Sequence, residues 1–86
     1  MKHAGTAALD QLEGLLAAIR DLDLLKERSR GVFYLKSKAF LHFHEDPAGL
    51  FADVRSKAGD DFDRIKVDDA KGRTRVLEII DALSRH

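Results

Sequence analysis

His42 and His44 flank Phe43 in the run Leu41-His42-Phe43-His44. On an extended strand successive side chains alternate between faces, so the two imidazoles emerge on one side with Cα atoms roughly 6.5 to 7 Å apart. A pair at that separation can share a transition-metal ion, as His-x-His pairs do in zinc and iron sites, but an ion needs further ligands. Asp46 has the right parity only if the strand runs on past Glu45, and Asp46-Pro47 reads instead as the capped start of a helix. His3 and His86 lie near the ends of the chain, where order is least expected. His42 and His44 therefore stand as an incomplete metal pair, and no cofactor is implied.

The same face carries a second kind of chemistry. With Lys36, Ser37 and Lys38 as a turn, Tyr34, Lys36, Lys38, Phe40, His42 and His44 gather on one side of a hairpin, joined by Phe62, Arg64 and Lys66 from a later strand. Rings interleaved with cations on an open sheet suit single-stranded nucleic acid, because bases stack on rings while Lys and Arg meet phosphates. The glycine-containing aromatic octamer of RNA-recognition domains is absent, however, and 15 Lys plus Arg balance 15 Asp plus Glu, so no net field steers a polyanion. A second copy of the chain or a protein partner is the commoner cover for such a patch. The acidic run Asp60, Asp61 and Asp63 can then pair with the hairpin cations across the interface. In a monomer, Lys and Arg stems lying over the rings would screen them instead. The reading that follows is a non-catalytic binding or assembly module, either a homo-oligomer or one docking a protein partner. The residues that carry it are Tyr34, Lys36, Lys38, Phe40, His42, His44, Arg64 and Lys66. Nucleic acid on the same face is one alternative and a His-x-His metal site another.

Enzymatic readings find little support. Ser29, Ser37, Ser56 and Ser84 sit in no nucleophile-elbow context, no glycine-rich phosphate loop is present, and there is no cysteine to act as nucleophile or thiolate ligand. Asp60/Asp61 and Asp68/Asp69 fall at a loop and a helix start, where solvation and capping account for them. No apolar pocket is in view to raise a carboxyl pKa.

The elements that must position these side chains follow from periodicity. Leu9, Leu12, Leu16, Ile19 and Leu22 recur at three or four and predict an amphipathic helix from Thr6 to about Glu27, ended by Arg28 to Gly31. From Val32 to His44 the period becomes two, with Phe33, Leu35, Ala39, Leu41 and Phe43 as the core face of the hairpin. A second helix is expected from Asp46-Pro47 to about Ala58, carrying Leu50, Phe51 and Val54 inward, with Gly59 as its cap. Phe62 to Val67 alternates again, and Asp68 or Asp69 caps a last helix reaching about Ser84, with Val76, Leu77, Ile80 and Leu83 as its stripe. The expected fold is α+β, a two-layer α-β-β-α-β-α sandwich: a small three-stranded, mainly antiparallel sheet with three helices on one face.

Eighty-six residues, 44% of them hydrophobic, fit one folded domain spanning 1–86 and exclude a disordered chain. No apolar run reaches the roughly 18 residues of a membrane span, and Met1 to Leu9 lacks a signal-peptide core, so a cytoplasmic protein is expected. Charge is segregated along the chain: residues 26–44 hold five cations and one anion, residues 45–69 four cations and eight anions. The run GVFYLKSKAFLHFHEDPAGLFADVR, Gly31 to Arg55, resembles a segment of small uncharacterised bacterial proteins. That resemblance implies a bacterial, cytosolic origin and no particular chemistry.

Overall fold

Alternation dominates the middle of the chain more thoroughly than the sequence suggests. A computed structural model describes residues 2–55 and 61–85. Within them the order is β1 (Lys2–His3), α1 (Thr6–Gln11), α2 (Glu13–Leu22), β2 (Lys26–Ser29), β3 (Val32–Leu35), β4 (Lys38–Asp46), β5 (Gly49–Arg55), β6 (Phe62–Lys66), α3 (Ala70–Asp81) and a 3₁₀ turn (Ala82–Arg85). The class is α+β, as expected, but the sheet is larger than three strands: it runs β2-β3-β4-β5-β6, every pair antiparallel, with β1 added beside β4. No helix among the described residues is long and apolar enough to cross a membrane.

One buried cluster unites the layers. Leu9, Leu12, Leu16 and Ile19 from the first two helices meet Phe33, Leu41, Phe43, Ala52 and Val54 from the sheet and Val76 and Ile80 from α3. The helices therefore cover one face, and alternate residues of the strands emerge on the other.

The expected helix from Asp46 to Ala58 is a strand. Asp46 pairs with Gly49 across a two-residue turn at Pro47-Ala48, and the Asp46 carboxylate accepts the Ala48 N–H at 3.0 Å. Aspartate before proline offers the same acceptor to a turn as to a helix N-terminus. Strand pairing wins because Leu50, Ala52 and Val54 then face the core on β5, with Ala52 opposite Phe43 and Val54 opposite Leu41. The cap expected at Gly59 lies outside the described residues.

The first helix is also shorter. It breaks at Leu12 and ends at Asp23, which adopts a left-handed conformation with φ 53°. Lys26–Ser29 then forms the edge strand β2, tied to α2 by the Arg20–Glu27 ion pair, while Arg30 just beyond it pairs with Asp10 and Glu13. Gly31, with φ 81°, turns the chain from β2 into β3.

The β3–β4 hairpin departs from expectation at one residue with consequences for function. Its turn has two residues, Lys36 and Ser37, with Leu35 opposite Lys38 and Tyr34 opposite Ala39. A β-bulge follows, and Phe33 then pairs with Leu41. The extra residue is Phe40. It restores the register that a longer turn would have set, and its ring enters the core, leaving Phe40 only 5% exposed.

Asp69 caps α3, accepting the Gly72 N–H at 3.0 Å. Gly72 sits in the first helical turn because that turn lies against the Lys66 carbonyl at the end of β6, and a Cβ there would overlap the oxygen.

Candidate metal centre on the open sheet face

Two strands bring three imidazoles together on the helix-free face. His42 and His44 emerge on the same side of β4, as their spacing requires, and His3 on β1 stands directly opposite His44. The His3 ring stacks on His44 with centroids 4.8 Å apart, and the His42 ring stands edge-on to His44 at 4.9 Å. One nitrogen from each ring lies within 4.8 Å of the others. Zn–N bonds of 2.0 to 2.1 Å at tetrahedral angles place nitrogens roughly 3.3 to 3.4 Å apart, so sharing one ion would require the rings to close in further.

Asp53 lies beneath this cluster, 6% exposed, on β5 opposite both His42 and Arg64. Arg64 grips it in a two-pronged contact, Nε to Oδ1 at 2.9 Å and Nη2 to Oδ2 at 3.1 Å. Oδ2 also stands 3.0 Å from His44 Nε2, which in turn is 2.9 Å from His42 Nδ1. A carboxylate next to Nε2 fixes that nitrogen as the N–H, so Nδ1 of His44 keeps its lone pair. That Nδ1 is buried and meets no hydrogen-bond partner in the protein. A carboxylate that holds an imidazole by one nitrogen and leaves the other bare is the outer-shell arrangement of metal-ligating histidines.

Protonation favours ligation as well. Burial pushes the His42 pKa below the ordinary 6.5; the neighbouring His44, His3 and Arg64 act in the same sense, and Asp53 opposes them. Burial alone would raise the Asp53 pKa, but the hydrogen bonds and charge of Arg64, with the two imidazoles, hold it below its ordinary 3.8. In both cases the unfolded chain binds the proton more readily than the folded one, so stability rises with pH. The His42 contribution is complete above about 6.5 and is lost as pH falls through its lower folded value; the Asp53 contribution is lost only below about 3.8. Metal-free protein is therefore expected to show a lower urea midpoint at about pH 5.5 than at about pH 7.5, and His42→Phe to shrink the difference. Equal midpoints for the wild type would contradict the burial of that ring.

The remaining residues expected on this face divide. Tyr34 is half-buried beneath the Arg28 guanidinium, 4.5 Å above its ring. Phe62 is half-buried between Arg55, 4.8 Å from its centroid, and the His42 ring at 4.9 Å. Arg64 and Lys66 are exposed there, Lys66 with its Nζ 3.9 Å from the Asp68 carboxylate. Lys36 and Lys38 are exposed at the hairpin tip, around a shallow hollow that reaches Leu35 and Arg55. Phe40 is not on this face at all; the bulge sends it inward, so a docking patch there lacks one of the rings expected in it. Of the acidic run expected to pair across an interface, Asp61 and Asp63 are exposed and Asp60 lies outside the described residues, as does His86.

Sequence reasoning missed His3, Asp53, Phe51 and Arg55. The last three follow from taking β5 as a helix, although Phe51, Asp53 and Arg55 alternate with Leu50, Ala52 and Val54. His3 had no local signal; it is placed by pairing across some forty residues of chain. The chain matches no family model, no curated protein and no solved structure.

Proposed function

We propose that this protein binds one transition-metal ion of the zinc class through His3, His42 and His44. The observation that carries the reading is the convergence of three imidazole nitrogens within 4.8 Å on one sheet face. Ligand chemistry narrows the ion. Imidazole suits zinc, copper, nickel or cobalt, whereas magnesium and calcium take oxygen ligands, and the chain has no thiolate to offer. Three histidines leave a fourth position, which water can fill. Arg64 and Asp53 serve as the outer shell that orients His44. A metal that supplies a cationic partner to the bare Nδ1 of a buried ring relieves the cost of leaving it unpaired.

Calorimetric titration of metal-free protein with ZnCl₂ near pH 7.5 is expected to give one equivalent, and Co²⁺ to give the visible absorption of a four-coordinate site. His42→Ala and His44→Ala should each weaken binding by at least ~100-fold, more than Asp53→Asn, an outer-shell change for which about 10- to 100-fold is expected. Affinity should also fall with pH, because protons compete for the same lone pairs. A wild type that takes up no metal overturns the reading, and so does binding that survives both histidine substitutions.

A further inference from the structure

We infer, resting on the metal reading above, that the bound ion also latches the N-terminal strand: it holds β1 against β4, so that docking of β1 is controlled by metal. The three ligands are unequally anchored. His42 and His44 are half-buried on β4, which pairs with β5 from Leu41 to Asp46. His44 is held further by the Asp53 carboxylate at 3.0 Å, and the His42 ring lies 4.9 Å from that of Phe62. His3, by contrast, is exposed on a strand of two residues.

Little else keeps β1 in place. Lys2 and His3 are both exposed and bring no apolar side chain to the core. The Lys2 ammonium stands 3.8 Å from the Glu45 carboxylate with its side chain 78% exposed, a contact that water and salt weaken. Beyond the strand, the Ala4 N–H donates to the Phe43 carbonyl and the Gly5 N–H to Glu45 Oε2. A terminal segment with so few buried groups opens locally at low cost. The three imidazole nitrogens, within 4.8 Å of one another, must close in to share an ion, and β1 is the part with freedom to move. An ion on His42 and His44 therefore draws His3 inward. Because His3 is a ligand only while β1 is docked, ion and strand bind cooperatively, and each favours the other by the same factor. Coupling between two such sites is typically about 5- to 150-fold.

Amide hydrogen exchange read by NMR on the full chain, run beside calorimetric uptake of ZnCl₂, tests the latch. One equivalent of zinc is expected to slow exchange of the Ala4 amide by about 5- to 150-fold, and His3→Ala to abolish that slowing. Glu45→Ala removes the anchor of Gly5 and Lys2 but no ligand. It lowers the docked fraction and should weaken zinc binding accordingly, with no further loss when it is combined with His3→Ala. Zinc bound at one equivalent with Ala4 exchange unchanged overturns the latch and leaves the metal site standing. Slowing that persists in His3→Ala overturns it too, since the ion would then act without β1. A wild type that takes up no zinc overturns the metal reading itself and the latch with it.

Discussion

Phe40→Glu is expected to leave a chain that does not fold, whereas Phe62→Glu should fold and melt cooperatively. Phe40 is 5% exposed and belongs to the cluster that joins sheet and helices. Truncating a buried phenylalanine costs about 3 to 5 kcal/mol, and a carboxylate put in its place adds the cost of an unpaired buried charge. Domains of this size are stable by roughly 4 to 13 kcal/mol, so the sum removes most or all of the margin. Phe62 is half-buried on the open face beside Arg55, where a carboxylate meets water and a cation. Near-ultraviolet circular dichroism and thermal melts of the two variants provide the measurement. A Phe40→Glu protein with wild-type melting would return that ring to the surface and restore the docking patch expected from strand parity.

Gly72→Ala should be the most damaging single-methyl change in the molecule. A Cβ at position 72 overlaps the Lys66 backbone oxygen, and neither partner is a flexible side-chain end that can swing away. Relief requires α3 to move off β6, which pulls on the Asp69 cap and on Val76 and Ile80 in the core. Overpacking of this kind costs about 3 kcal/mol or more. For 86 residues that corresponds to a fall in Tm of roughly 12 to 24 °C. Gly14→Ala is the control: no atom lies within 4 Å of its added methyl, and an exposed helical glycine replaced by alanine gains up to about 1 kcal/mol. Similar melting of Gly72→Ala and wild type would mean that α3 does not pack this closely on the sheet.

The parts legible in sequence are those where one physical signal is unopposed. From Leu41 to His44 apolar and polar residues alternate without ambiguity, so strand and imidazole parity follow, and the Asp69 cap with Val76 and Ile80 behind it specifies α3. At Leu50, Phe51 and Val54 two signals coincide. Their spacing fits a helix stripe, while Leu50, Ala52 and Val54 fit a strand face, and only the buried partners Leu41 and Phe43 on β4 decide between them. Lys26–Ser29 has no apolar face to announce a strand; it is one because β3 offers an edge and Arg20 reaches Glu27. Phe40 illustrates a different limit. A single inserted residue reverses parity on one side of the bulge, and periodicity cannot report it when both readings place aromatic residues plausibly. The His42/His44 pair was legible but the imidazole that joins it was not, because His3 reaches His44 through long-range pairing alone.

The borders of β4 carry a last consequence. One side of that strand is shared end to end, β3 covering Phe33's partner Leu41 and its neighbours, and β1 covering His44 and Glu45. The second half of that border depends on a two-residue strand, helped by Ala4 N–H to the Phe43 carbonyl at 3.0 Å and by the Glu45 carboxylate on the Gly5 N–H at 2.6 Å. If β1 peels away, backbone donors and acceptors of β4 are laid bare beside apolar Phe43, the kind of margin on which foreign strands template aggregation or domain swapping. An ion gripped by His3 would lock that flap, so starvation for metal would register first as a loss of colloidal stability rather than as unfolding.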